Sequence, residues 1–154
     1  MDRDNDLIRG VGYMVIQASH LERKIEDICC WFEMGFTRPE HHKTQRVSDK
    51  IKWCKCQIKE LNNTMLAPLD KSLDKAMNLL NRRNKLVHGQ IYFASNMPEK
   101  IIPSSMKDKE RAILPSEVYD LAESIYKLHQ RILSENAFRL VHSLKGRICL
   151  ISES

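Results

Sequence analysis

The chain is poor in glycine and proline, which build irregular loops, and it lacks the long apolar runs that cross membranes. Its 154 residues include five glycines and five prolines, and 6% are aromatic. These counts are too low for a loop-built or disordered chain, so most of the chain is predicted to be helical. No apolar run approaches the roughly 18 residues of a membrane-spanning helix, and the charged start Met1-Asp2-Arg3-Asp4 precedes no secretory signal. We therefore expect a cytoplasmic protein with no membrane partner.

Length and charge limit the organisation and the partners of the chain. A length of 154 residues is usual for one domain, so residues 1–154 are predicted to form a single helical domain. Lysine and arginine number 25 against 20 aspartates and glutamates, which gives a net charge of +5. Cationic side chains attract phosphates, so this balance favours a polyanionic partner such as RNA. No pattern indicates a cofactor.

The cysteines do not form the pattern of a disulfide framework. There are five, an odd number, and three of them lie in apolar helical patterns where a reduced thiol packs as a small hydrophobe. Cys54-x-Cys56 is preceded by His41 and His42, but the spacing fits none of the common zinc patterns. We expect no metal site, and a site built from these four residues is the alternative.

Four segments carry apolar residues at alternating steps of four and three, the pattern of amphipathic helices. They run from about Asp6 to Phe32, from Val47 to Leu61, from about Pro68 to Val87, and from Pro115 to about Leu140. The buried stripe of the third is predicted to contain Leu69, Leu73, Ala76, Leu80 and Val87. Such helices, joined by short or moderate connections, predict an all-α bundle of four to five helices.

The segments between and after the helices are less regular. Ile91–Ala94 reads as a short strand or an extended arm, and residues 95–114 read as a polar connector with Pro98 and Pro103. This connector is the predicted mobile region. The apolar tail Arg147–Ile151 has no assignment.

The third helix ends in the run Arg82-Arg83-Asn84-Lys85-Leu86-Val87-His88-Gly89. Arg83 offers a rigid fork of donors suited to a phosphate. Histidine, the residue type at position 88, is the side chain whose ordinary pKa lies closest to neutral pH, which suits it to proton transfer. Asn84 lies one helical turn before His88, where its amide can orient the imidazole. Gly89 is placed to end the helix. Arg83, His88 and Asn84 are therefore the candidate catalytic residues.

Arg83 and His88 do not share a face of one helix, since five residues correspond to a rotation of about 140°. The helix can unwind between Lys85 and His88, or a two-fold dimer can bring Arg83 of one subunit towards His88 of the other. Asn84 and His88 form a polar ridge on this helix. We expect the homodimer, because the apolar residues beside that ridge exceed what a solvated helix end needs.

This combination resembles the HEPN domains (higher eukaryotes and prokaryotes nucleotide-binding). The resemblance rests on the Arg-x4-His spacing from Arg83 to His88, on the pair Leu21-Glu22 in a long first helix, and on a final amphipathic helix from Pro115. It implies an all-α bundle that dimerises. In many members of the family it also implies a metal-independent ribonuclease of toxin-antitoxin or phage-defence systems, with Arg83 and His88 as the catalytic pair and Asn84 as the polar residue between them.

The resemblance thus implies a HEPN-type endoribonuclease that belongs either to a toxin-antitoxin system, with a protein antitoxin as its partner, or to a phage-defence system. Arg82 and Lys85 are the expected RNA-binding residues beside the catalytic pair. The alternative is a non-catalytic helical module that binds a partner protein or a nucleotide. In that case the arginines are solvated and His88 merely caps the carbonyl groups at the helix end.

Overall fold

The computed structural model describes residues 6–94, 97–102 and 113–152. These residues form five α-helices and one pair of strands: α1 Leu7–Phe32, α2 Val47–Leu61, α3 Ala67–Val87, β1 Gln90–Ala94, β2 Met97–Ile102, α4 Pro115–Arg131 and α5 Ala137–Ser152. Short 3-10 turns at Glu40–Thr44 and Thr64–Leu66 precede α2 and α3. The predicted helical character and number of helices are confirmed. None of the helices in the described ranges is long and apolar enough to span a membrane.

The first three helices begin and end where the sequence predicts. The Asp6 carboxylate accepts a hydrogen bond of 2.9 Å from the Arg9 N–H and so caps the start of α1. At the end of α2, Asn62 adopts a left-handed conformation with φ 46°, and its N–H donates to the Ile58 and Lys59 carbonyls. The predicted stripe of α1 is buried throughout: Met14, Ala18, Leu21, Ile25, Ile28 and Phe32.

The fourth predicted helix is in fact two helices. We expected one helix from Pro115 to about Leu140, but α4 ends at Arg131 and α5 begins at Ala137. Asn136 lies in the break and is buried, and its side-chain amide donates to the Ile132 carbonyl at 2.8 Å. An asparagine side chain that satisfies a backbone carbonyl competes with the helical hydrogen bond, so the chain turns here. α5 also includes the C-terminal segment that had no assignment.

The predicted connector at 95–114 contains a strand. β1 confirms the extended segment, and β2 pairs with it antiparallel, with Gln90 opposite Ile102 and Ile91 opposite Ile101. Ile101 is buried and forms a further bridge with Ile113 through hydrogen bonds of 2.9 and 2.8 Å. The sequence does not indicate this strand, because the segment contains Pro98 and proline is rare in paired strands. The rest of the predicted mobile region lies outside the described residues.

The chain divides into two compact units. One consists of Met1–His20 and Asn78–Lys127, the other of Leu21–Met77 and Leu128–Ser154. Each boundary falls inside α1, α3 or α4 rather than in a linker. The single domain therefore stays a prediction.

The first unit holds the start of α1, the end of α3, the strand pair and most of α4. Its buried apolar side chains are Leu7, Met14, Ala18, Leu79, Leu80, Leu86, Ile101, Val118, Leu121, Ala122 and Ile125. The Tyr119 hydroxyl donates to the Asp6 carbonyl at 3.4 Å. A Cβ atom at Gly10 would lie 3.0 Å from the Tyr119 ring, so the absence of a side chain there lets α1 and α4 approach.

The second unit contains a buried arginine held by carboxylates. The side chain of Arg38 is 1% exposed, and its guanidinium donates to both oxygens of Glu26 at 2.7 and 3.2 Å. It also donates to Glu33 at 3.3 Å and lies 5.7 Å from the centre of the Trp53 ring. Lys50 forms a second ion pair with Glu26 at 2.6 Å. A buried cation of this kind is stable because its two terminal nitrogens donate to carboxylates and to the His42 carbonyl.

This cluster makes the free energy of unfolding depend on pH in the acidic range. The Arg38 hydrogen bonds, helped by Lys50 and opposed by burial, lower the pKa of Glu26 from 4.5 to about 2. Between these values the unfolded chain binds the proton and the folded chain does not, so stability is complete above about pH 4.5 and falls as the pH approaches 2. We expect a loss of about 1–2 kcal/mol across that window, after allowance for the partly exposed carboxylate.

Urea unfolding followed between pH 7 and pH 2.5 measures this effect. The Glu26→Gln protein is expected to lose less stability on acidification than the wild type. The matched control is Glu123→Gln, which removes an exposed carboxylate paired with Lys127 at 3.6 Å. Equal acid sensitivity of the wild type and Glu26→Gln would contradict the role of Glu26.

Candidate functional site

The candidate site lies where α3 ends, in the first unit. The His88 N–H donates to the Asn84 carbonyl at 3.2 Å, and the Gly89 N–H donates to the Leu86 carbonyl at 3.0 Å. The first hydrogen bond spans four residues and continues the α-helical pattern to His88. The second spans three residues and forms a tighter turn at which the helix ends. α3 ends at Val87, as the sequence predicts.

The buried face of the last turn differs from the predicted stripe. Leu69, Leu73, Ala76 and Leu80 are buried as expected, but Val87 is 43% exposed and Leu86 is 6% exposed. Leu79 and Leu86 are seven residues apart and share one line along the helix. The buried face therefore passes through Leu86 at the end of α3. Val87, the last helical residue, lies about 100° away from it and faces solvent.

Arg83 lies on this buried side of the helix. It stands about 60° from Leu80 on one side and about 60° from Leu86 on the other. Its side chain is half-buried, and its Nε atom is buried. An arginine whose aliphatic stem is packed loses little further freedom when its guanidinium binds an anion.

His88 and its polar neighbours face solvent instead. His88, Asn84, Arg82 and Lys85 are all exposed. The predicted polar ridge is therefore present on the surface. Within the described part of the chain no hydrogen bond joins the Asn84 amide to the His88 ring, so the amide does not fix the imidazole in this structure.

One chain does not aim Arg83 and His88 at a common point. The rotation of about 140° between them, together with the half-buried guanidinium and the exposed imidazole, places the two side chains in different surroundings. The exposed face between them carries Val87. Arg82, Arg83 and Lys85 bring three positive charges to this helix end, while the carbonyls of the helix terminus contribute partial negative charge. The three cations attract an anion to this surface.

The alternative metal site is not assembled. In the described residues no group of three or more histidine, cysteine or acidic side chains is close enough to hold a metal ion. Cys54 is buried and Cys56 is exposed, because two residues correspond to about 200° of rotation on α2. The rings of His41 and His42 lie 4.5 Å apart between their centres. The described structure therefore does not bring these four side chains together as a ligand set.

Two features of the second unit were not singled out from the sequence. The Sγ atoms of Cys29 and Cys54 are 3.3 Å apart, and Arg38 is buried among carboxylates. Both cysteines lie on apolar stripes, which was the available signal, but periodicity does not say which stripes meet. This unit also has an open cavity of about 310 Å³ lined by Asp27, Cys30, Trp31, Met34 and Leu133. None of the predicted site residues lines it.

Comparison with known proteins assigns no family and no function to this site. The sequence matches no family model and no curated protein, and the fold matches no solved structure. The functional argument therefore rests on the residues at the end of α3.

Proposed function

We propose that this protein is a metal-independent endoribonuclease of the HEPN type, a component of a toxin-antitoxin or phage-defence system. Arg83 and His88 act on the scissile phosphate. The observation that carries the proposal is the end of α3, where an exposed histidine follows a half-buried arginine by five residues on a basic surface. The resemblance to the HEPN motif is the reason for assigning RNA cleavage to this pair of residues.

RNA carries its own nucleophile in the 2′-hydroxyl beside each phosphate. His88 takes the proton of this hydroxyl as the oxygen attacks phosphorus, and the bond to the 5′-oxygen of the next nucleotide breaks. The leaving oxygen takes up a proton from a second imidazole or from water. The products are a 2′,3′-cyclic phosphate and a 5′-hydroxyl. Proton transfer by a positioned imidazole contributes typically about 10²- to 10⁴-fold to a rate.

Arg83 stabilises the charge that this attack creates. Negative charge grows on the two non-bridging phosphate oxygens, and a guanidinium can donate to both at once. The half-buried position of Arg83, on the helix face between Leu80 and Leu86, supports this role, because a donor held in place does not have to reorganise during the reaction. Arg82 and Lys85 are exposed and bind neighbouring phosphates, which makes affinity fall as salt rises.

A two-fold homodimer completes the site. Arg83 of one subunit and His88 of the other face one phosphate, which removes the difficulty of their angular separation on a single helix. The exposed Val87 supports such an interface, since it places an apolar side chain between the two functional residues. A protein antitoxin that covers this surface would block both RNA binding and cleavage.

RNA cleavage in chelator tests the proposal. We expect the purified protein to cut a single-stranded RNA in EDTA and to leave 2′,3′-cyclic phosphate ends, which mass spectrometry of the fragments detects. The same sequence with 2′-O-methyl groups is expected to remain intact. Cleavage of the methylated strand, or products with 5′-phosphate ends, would contradict the mechanism. His88→Ala purified in the same way controls for contaminating nucleases, because a contaminant would still cut. His142→Ala, which removes an exposed histidine of α5, is the matched substitution and should cut like the wild type.

The second candidate is a non-catalytic module that binds a partner protein or a nucleotide. The separation of Arg83 from His88 within one chain favours it, since a binding surface does not require the two groups to converge. It predicts association with no RNA cleavage, and binding that His88→Ala leaves unchanged. Its distinguishing result is an inert protein that still binds its partner.

A further inference from the structure

Two cysteine thiols meet in the interior of the second unit. Cys29 lies on α1 and Cys54 on α2, and their Sγ atoms are 3.3 Å apart. Neither residue has accessible surface. The thiols form a hydrogen bond to each other, and the Cys29 thiol lies 3.9 Å from the Lys50 carbonyl oxygen. Two sulfurs this close need to approach by only about 1.2 Å more to reach the length of a disulfide bond.

The surroundings make the two thiols unequal. The hydrogen bond from Cys54, helped by the charge of Arg38, lowers the pKa of Cys29 against the opposing effect of burial. The same hydrogen bond and burial raise the pKa of Cys54. The Nε atom of Arg38 is buried and makes no hydrogen bond within the described residues. The positive charges of Arg38 and Lys50 favour a thiolate at Cys29, and the negative charge of Glu26 opposes it.

The neighbouring cysteine is a useful comparison. Cys30 is exposed, and partial burial together with Glu33 and Glu26 raises its pKa. Access favours Cys30, but the thiolate that attacks an oxidant is favoured at Cys29. Of the cysteines described, Cys29 is thus the one whose thiolate is stabilised and whose thiol has a second thiol beside it.

We propose that Cys29 and Cys54 are a redox-modification site at which a peroxide converts the two thiols into an intramolecular disulfide. The Cys29 thiolate attacks one peroxide oxygen, an S–O bond forms, the O–O bond breaks, and hydroxide leaves. The Cys54 sulfur then attacks Cys29, an S–S bond forms, and the S–O bond breaks. The leaving hydroxide takes the Cys54 proton. In total two thiols and one hydrogen peroxide give one disulfide and two waters.

Burial determines the class of oxidant. Because neither thiol has accessible surface, an oxidant reaches Cys29 only when this part of the unit opens locally, and hydrogen peroxide needs a much smaller opening than a glutathione-sized disulfide. The bond joins α1 to α2 across the 3-10 turn at 40–44 and restrains that part of the unfolded chain. The oxidised protein is therefore expected to unfold at a temperature roughly 5–10 °C higher than the reduced protein.

Alkylation after oxidation tests the site. A variant with Cys30→Ser, Cys56→Ser and Cys149→Ser keeps only the two buried thiols. It is treated with hydrogen peroxide, quenched, unfolded and alkylated, and its intact mass is measured. We expect loss of both alkylation sites, a crosslinked Cys29–Cys54 peptide in a non-reducing digest, and full recovery of the thiols with dithiothreitol. Adding Cys54→Ser should abolish the crosslink and leave a sulfenic acid at Cys29 that dimedone traps.

The wild type provides the same result without substitutions. Its non-reducing peptide map after peroxide should contain the same crosslinked peptide, which keeps the test valid if the serine variant folds poorly. The proposal is overturned if Cys29 and Cys54 remain open to alkylation under conditions that oxidise Cys30 or Cys56. It is also overturned if the crosslinked peptide contains another cysteine. Neither outcome depends on RNA cleavage.

Discussion

Replacing His88 by alanine is expected to lower the rate of RNA cleavage by about 10²- to 10⁴-fold, with little change in folding stability. The imidazole is exposed beyond the end of α3, so its removal creates no cavity in the core. What is lost is proton transfer at the 2′-hydroxyl. Single-turnover cleavage measures the rate, and thermal unfolding checks that the variant is folded. A His88→Ala protein that cuts RNA at the wild-type rate would remove His88 from the mechanism.

Arg83→Ala is expected to reduce cleavage by about 10²- to 10³-fold, the usual effect of losing a donor to a developing oxyanion. Arg83→Lys keeps the charge but loses the fork of donors, so it should recover only part of the rate. Arg82→Ala is the matched control, because it removes the neighbouring exposed guanidinium. We expect it to weaken RNA binding and its salt dependence, while cleavage at saturating RNA stays close to that of the wild type.

Mixing the two inactive variants tests the shared site of the proposed dimer. If Arg83 and His88 come from different subunits, a heterodimer of Arg83→Ala and His88→Ala contains one intact site and one doubly altered site. Random exchange of subunits should then restore about a quarter of the wild-type activity, since half of the dimers carry one of two sites. If both residues act from the same chain, no mixture regains activity. The heterodimer thus separates the two arrangements without a structure of the complex.

The helices were predictable because their signal is local. The spacing of Leu21, Ile25 and Ile28 is set by the helical turn, and all three side chains are buried. The break between α4 and α5 depends on one hydrogen bond, from the Asn136 amide to the Ile132 carbonyl, which residue spacing does not encode. β2 was missed because its pairing partner β1, and not its own composition, makes it a strand.

The candidate site shows the same division between local and distant information. The position of His88 at the end of α3 follows from the chain itself, because the helical stripe and Gly89 are both local. The burial of Leu86 in place of Val87 depends on what packs against α3, so the half-buried position of Arg83 did not follow from the predicted stripe. The contact of Cys29 with Cys54 likewise requires two helices to meet in one register.

Arg38→Ala is expected to destabilise the protein by about 2–4 kcal/mol, the largest stability effect we predict. Arg38 follows α1 in a segment that reads as a loop, yet its side chain is 1% exposed. Its removal leaves the Glu26 carboxylate with Lys50 alone and deprives Glu33 of its partner at 3.3 Å. It also opens space beside the Trp53 ring. The upper end of the usual range for a broken buried ion pair is not reached, because water still reaches both carboxylates.

Urea and thermal unfolding measure this loss, which corresponds to a fall in Tm of roughly 5–15 °C for a chain of this size. Arg38→Lys should be intermediate, because an ammonium group keeps one ion pair but cannot donate to both Glu26 oxygens and Glu33 together. Arg23→Ala removes an exposed arginine from α1 and should change stability by less than about 0.5 kcal/mol. If Arg38→Ala and Arg23→Ala unfold at the same urea concentration, the cluster does not hold α1 to the segment that follows it. The order Arg23→Ala, Arg38→Lys, Arg38→Ala in increasing loss is the result expected from the buried, bidentate ion pair together with the packing against Trp53.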